Sequence, residues 1–141
     1  MANINIFYSW QSDLPGAETR NFIQSCIDAA VKTLKDTVYV EANRDTRGNY
    51  GSPDITNVIF EKIQQCDIFV ADVSIINSEH YELNENGEYV QIQKLSPNPN
   101  VLLELGYAAG VIGWENIICI ANEDYEKRKL RWIVDYDCKR V

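Results

Sequence analysis

The sequence predicts an α/β fold in which helices cover both faces of a five-stranded, mostly parallel sheet. Three observations carry this. Short apolar strands alternate with amphipathic helices along the chain. One strand, Asp67-Ile68-Phe69-Val70-Ala71-Asp72-Val73, is a continuous apolar run, as a strand covered on both faces should be. And 141 residues, 45% of them hydrophobic, suffice for one domain with a real core and leave no room for a second.

The elements follow in order. Ile4-Asn5-Ile6-Phe7-Tyr8-Ser9 reads as the first strand, and Ala17 to about Lys35 as a helix with Ile23, Ile27, Ala30 and Leu34 at helical spacing. Val38-Tyr39-Val40-Glu41-Ala42 is the second strand. Gly51-Ser52-Pro53-Asp54 opens a helix with a cap, a proline at the first position and an acid in the first turn, and Ile55, Val58, Ile59 and Ile63 form its inward stripe. The apolar 67–73 run comes next. Residues 77–96 are polar and acidic and too long for an ordinary connection; the Glu85-Asn86-Gly87 turn signal, flanked by Tyr81, Leu83, Tyr89, Val90 and Ile92, predicts a small hairpin insertion. It reads as a lid, an oligomer contact or a plain insertion. Asn98 caps the following helix and Pro99 suits its first position, where the missing N–H costs nothing. Asn116-Ile117-Ile118-Cys119-Ile120-Ala121 is a buried strand, and Arg131-Trp132-Ile133-Val134-Asp135-Tyr136 the fifth.

Composition narrows the function. Thirteen basic against 21 acidic residues give a net charge of −8, unsuited to broad contact with nucleic-acid phosphates or an anionic membrane. No apolar run approaches the roughly 20 residues of a membrane span, and the first strand follows Met1 with no signal-peptide layout, so the expected compartment is the cytoplasm. Cys26, Cys66, Cys119 and Cys138 form no C-x-x-C pair; Cys26 and Cys119 fall within apolar patterns and read as small, buried, reduced residues. With His80 the sole histidine, neither a zinc site nor a histidine-activated nucleophile is expected. A G-x-G-x-x-G turn after the first strand is missing, which disfavours hydride transfer from NAD. The remaining chemistry rests on carboxylates, hydroxyls and aromatics.

One carboxylate stands out. On the Asn98–Gly110 helix, Val101, Leu105, Ala108 and Ile112 share one face, and Glu104 falls on its edge beside Tyr107 and Val111. Such a glutamate either reaches to solvent or a basic neighbour, or stands at the mouth of a cleft near a helix N-terminus that helps keep it ionised. In parallel sheets ligands bind beyond the carboxyl ends of the strands, near the switch in strand order. That rule selects Ser9-Trp10-Gln11-Ser12-Asp13, residues 43–52, and Asp72-Val73-Ser74, with the Glu104 helix bordering the same crevice.

These residues carry a resemblance. The Phe7-Tyr8-Ser9-Trp10-Gln11-Ser12-Asp13 strand end, the Asp45-Thr46-Arg47-Gly48 loop leading to Gly51-Ser52-Pro53-Asp54-Ile55, the Ile68-Phe69-Val70-Ala71-Asp72-Val73-Ser74 strand and the Asn98-Pro99-Asn100-Val101-Leu102-Leu103-Glu104-Leu105-Gly106-Tyr107-Ala108 helix together resemble a bacterial TIR-like domain over nearly the whole chain. The resemblance implies a flavodoxin-like three-layer sandwich spanning residues 1–141. Nucleoside deoxyribosyltransferases are similar in layout and also place a glutamate before Leu-Gly-Tyr-Ala, but Asn98 stands where their pattern usually has an acid.

The TIR resemblance implies cleavage of the nicotinamide–ribose bond of NAD, consumed as substrate with no cofactor, in bacterial antiphage defence and activated by self-association through TIR–TIR contacts. A fused or separate sensor domain is a further implied partner. Glu104 matches the catalytic glutamate. Ser9 and Trp10 match the turn that lines the cleft, and Arg44, Asp45 and Arg47 belong to the loop that gates it. Asp72, Asn100 and Tyr107 complete the expected substrate contacts. Several have a second reading: Trp10 packs under the first helix, Asp72 caps a turn, Arg44 and Arg47 lie solvated, and Tyr107 packs in the core. The alternatives to an NAD-cleaving enzyme are a deoxyribosyltransferase-like enzyme and a non-catalytic TIR interaction module.

Overall fold

The computed structural model describes residues 2–34, 38–44, 53–78 and 80–122. Four strands, β1 (Ala2–Ser9), β2 (Val38–Arg44), β3 (Ile68–Asp72) and β6 (Ile117–Ile120), form a parallel sheet in the order β2-β1-β3-β6. Three helices connect them: α1 (Arg20–Leu34), α2 (Pro53–Gln65) and α3 (Pro99–Val111). Two further strands, β4 (His80–Leu83) and β5 (Tyr89–Gln93), pair antiparallel as a separate hairpin within the 77–96 insertion. The expected strand at 131–136 lies outside the described residues, as does Cys138, so the sheet described has four strands rather than five.

The chain runs from β1 outward to β2, then crosses β1 to reach β3 and continues to β6. Right-handed crossovers in opposite directions put α1 on one face and α2 and α3 on the other. The core divides the same way. Phe7, Phe69, Ala71 and Val73 of the sheet pack with Ile63 of α2 and Val101, Leu105 and Ala108 of α3, whereas Tyr8 and Val70 pack with Ile23 and Ile27 of α1. Successive residues of β1 and β3 alternate between these clusters, as the two-residue period of a strand dictates. The Phe7 and Phe69 rings stack at 5.7 Å between centroids. Each is fully buried, worth about 1.5–3 kcal/mol of apolar transfer per side chain.

Helix faces depart from the sequence reading in three places. On α1 the stripe is Ile23, Ile27 and Val31, while Ala30 and Leu34 are exposed: a strict four-residue step follows the side of α1 that meets the sheet. Cys26, expected in the core, is exposed for the same reason. On α2, Ile59, Phe60 and Ile63 face the core and Val58 turns outward.

The hairpin is closed at its base by Asn77, whose Oδ1 accepts from the Ser96 N–H (2.8 Å) and whose Nδ2 donates to the Lys94 carbonyl (2.6 Å). At its tip, Asn84 Oδ1 accepts from the N–H groups of Asn86 and Glu88, and Gly87 takes φ = 75°, a conformation glycine adopts without a Cβ clash. Tyr81, Leu83, Tyr89, Val90 and Ile92 remain exposed along it.

Cys66 ends the turn after α2, its thiol donating to the Ile63 carbonyl at 3.0 Å. Burial, reinforced by the neighbouring Asp67 carboxylate, pushes this thiol from its ordinary 9.0 up to about 11. Alkylation near pH 8 should therefore label the exposed Cys26 quickly and the protonated, buried Cys66 slowly, as peptide mapping would read. The sign for stability follows. The folded state favours the thiol, so this contribution is intact below pH 9.0, where the unfolded thiol is also protonated, and is lost as pH rises through about 11. Urea midpoints measured across that window should fall in the wild type and fall less in Cys66→Ala.

Candidate active site

Ser9 closes β1 and points to the same face as Phe7, toward α3. Its fully buried hydroxyl donates a hydrogen bond to Glu104 Oε2. Glu104 is only 5% exposed, so the glutamate expected at the border of the core lies inside it. The helix is set as its sequence predicts: Asn98 Oδ1 accepts from the N–H groups of Asn100 (2.8 Å) and Val101 (3.2 Å), and Pro99 takes the first helical position. Val101, Glu104, Leu105 and Ala108 then follow at i, i+3, i+4 and i+7 on the buried side. Glu104 is the sixth residue of α3, beyond the first turn within which the helix dipole acts. The Ser9 hydroxyl, not the helix end, is thus a group placed to hold its carboxylate.

A second buried polar group lies one strand away. Asp72 closes β3 with no exposed surface; Oδ2 accepts from Gln11 Nε2 and Oδ1 from the Ser74 N–H, both at 3.0 Å. Gln11, also fully buried, accepts from the Leu14 N–H at 2.9 Å. Ser74 Oγ accepts from the Asn122 N–H (2.9 Å), and Asn122 Nδ2 donates to the Glu18 carbonyl (3.0 Å). The contacts form a closed ring through the segments after β1, β3 and β6. A further tie joins the first of these to α3: Asn98 Nδ2 donates to Asp13 Oδ2 at 2.6 Å. The 10–19 segment is thus held at both ends and in the middle.

The expected site residues are distributed unevenly. Ser9 and Asp72 stand at the carboxyl ends of adjacent strands where the strand order reverses, the crevice position for ligands in such sheets, and Glu104 meets Ser9 there from α3. Trp10 turns to the α1 face, packs against that cluster and carries the Arg20 guanidinium 5.3 Å from its ring centroid. Tyr107 stacks on Phe60 of α2 at 4.2 Å, so its ring is engaged in helix packing. Asn100 is exposed in the first turn of α3, its N–H on the Asn98 cap. Arg44 is the last residue of β2, in register with Tyr8; Asp45 and Arg47 lie outside the described residues. Sequence spacing does not single out Gln11, Ser74 or Asn122. The strand-end rule selected the segments holding Gln11 and Ser74, but only the fold shows which side chains turn inward.

Fold and site together define an α/β domain with a buried, hydroxyl-bound glutamate at the switch point of its sheet. Residues 15–135 match the TIR domain of the CAP12/Pycsar effector proteins, and the chain belongs to that family. Solved structures similar to it include a 2-desoxiribosyltransferase from Leishmania mexicana, with 18% identity over 84% of this chain and 64% of that one and a TM-score of 0.48. Another is the CMP N-glycosidase BcmB of Clostridium botulinum, with 14% identity over 97% of this chain and 87% of that one and a TM-score of 0.45. The chain thus spans 64% of the length of the first. No curated protein matches the chain. None of the described helices is long and apolar enough to cross a membrane.

Proposed function

We propose that this TIR domain consumes NAD by cleaving the bond between nicotinamide and ribose, as a hydrolase or a cyclase, in a cytoplasmic antiphage response. The observation that carries this reading is the buried Ser9–Glu104 pair at the carboxyl end of β1. When the C–N bond breaks, its electron pair leaves with nicotinamide, which departs neutral and needs no strong acid. Positive charge then develops on the ribose ring. A fixed carboxylate beside that ring stabilises the charge as it forms, and Ser9 fixes the carboxylate. Attack on the sugar by water, or by a nucleophilic nitrogen of the same molecule, completes hydrolysis or cyclisation. Asp72, fully buried and held by Gln11 and Ser74, supports this pair from the end of the neighbouring strand.

The test is to incubate the purified protein with NAD and, separately, with pairs of deoxynucleosides and free bases, and to identify products by mass spectrometry. Nicotinamide with ADP-ribose or a cyclised isomer is expected. A deoxyribosyl adduct on Glu104 with base exchange, and inertness toward NAD, would move the assignment to a nucleoside enzyme. Inertness toward all of them would leave an interaction module.

Self-association is part of the proposal. The outward side of α3, with Leu103, Gly106, Gly110 and Val111, is exposed and uncharged, and a Cβ added at either glycine would meet nothing within 4 Å. A helix apolar on all sides is ordinarily covered, and a second copy would meet no like charge there. Specific activity should therefore rise with protein concentration, in step with assembly followed by light scattering. Constant specific activity from a monomer would point to a self-sufficient enzyme.

A further inference from the structure

We infer that Asn98 and Asp13 form a positioning clasp for Glu104, an inference that rests on the reading of Glu104 as the catalytic carboxylate. Among the described hydrogen bonds, two join the β1 end and its following segment to α3 and its cap. One is Ser9 to Glu104; the other is Asp13 to Asn98. On α3 their anchors are six residues apart, about 9 Å along the helix axis. A single hydrogen bond would let the segment pivot about α3, whereas two fix its distance and its angle. Elsewhere in residues 10–19, Gln11 reaches the end of β3 and the Glu18 carbonyl reaches Asn122, two residues past β6, whereas the clasp reaches the helix bearing Glu104.

The chemistry of the clasp specifies its residues. Asn98 must accept from two backbone N–H groups with Oδ1 and donate with Nδ2 to a carboxylate. A short primary amide does both at once. Aspartate at this place caps a helix as well as asparagine does. It has no proton to donate, though, and would set a second negative charge against Asp13. The cap and the clasp are therefore separable by one substitution.

Asn98→Asp should keep α3 capped and lower kcat for NAD about tenfold with KM little changed, since a catalytic group displaced by a fraction of an ångström loses rate before it loses substrate. Asp13→Asn combined with Asn98→Asp restores the bond with donor and acceptor exchanged, the new Nδ2 giving to the new carboxylate, and should return kcat to within about threefold of wild type. A role in capping alone would leave kcat unmoved in the single variant. Amide hydrogen exchange supplies a readout free of activity: residues 10–19 should exchange faster in Asn98→Asp and regain protection in the double variant. Were the wild type inert toward NAD, the functional reading would fail while exchange still judged the clasp. Wild-type exchange and kcat in Asn98→Asp, or a double variant no better than the single one, would overturn it.

Discussion

Glu104→Gln is expected to give a folded protein that has lost at least about a hundredfold in NAD turnover, since one preorganised electrostatic contact is commonly worth roughly 3 kcal/mol. The environment of Glu104 makes this substitution a clean one. Glutamine is isosteric, and its amide oxygen still accepts from the Ser9 hydroxyl, so the bond at the end of β1 survives. Val101, Leu105 and Ala108 keep their contacts on the same side of α3, and the melting temperature should move little. What changes is the charge, at a position 5% exposed where water cannot replace it. Nicotinamide release under assembled conditions measures the outcome; near-normal turnover by a folded Glu104→Gln protein would remove Glu104 from the mechanism.

Much of the arrangement behind that expectation is legible in the sequence because its determinants are local. Asn98, Pro99 and the apolar residues after them specify the start and inward face of α3 without reference to the rest of the chain. Gly87 and the asparagines around it specify the hairpin turn. The continuous apolar run at 67–73 marks a strand buried on both faces. What the sequence conceals depends on how elements meet. Helical spacing admits either Ala30 or Val31 as the next turn of α1's stripe after Ile27, and the seating of α1 on the sheet decides for Val31. Periodicity likewise leaves Glu104 on an edge, and it becomes buried because β1 presents a serine to it from 95 residues away. The ring joins Gln11, the local Asp72–Ser74 turn and Asn122; the turn is readable from sequence, but the single hydrogen bonds that tie it to Gln11 and Asn122 leave no spacing pattern to read.

That ring sets up the largest effect on stability. Asp72→Ala should cost about 2–4 kcal/mol, because it strips the acceptor from Gln11 Nε2 and from the Ser74 N–H in a site closed to water, and each buried donor left unmet costs about 1–3 kcal/mol. Asp72→Asn is the sharper variant. Its amide oxygen can still accept from the Ser74 N–H, but its NH2 then faces the NH2 of Gln11. Turning the Gln11 amide over relieves that clash and creates another, since Gln11 Oε1 is the acceptor for the Leu14 N–H. One hydrogen bond is lost in either arrangement, so Asp72→Asn should be destabilised by about 1–2 kcal/mol, less than Asp72→Ala yet clearly below wild type. Urea unfolding of the three proteins measures the order. Gln11→Glu added to Asp72→Asn should recover part of the loss: one carboxylate oxygen accepts from the amide NH2 introduced at position 72 and the other from the Leu14 N–H. An Asp72→Asn protein as stable as wild type would mean that the Gln11–Asp72 bond does not hold the strand ends together. Failure of Gln11→Glu to restore stability would mean that the loss arises elsewhere than in this pair.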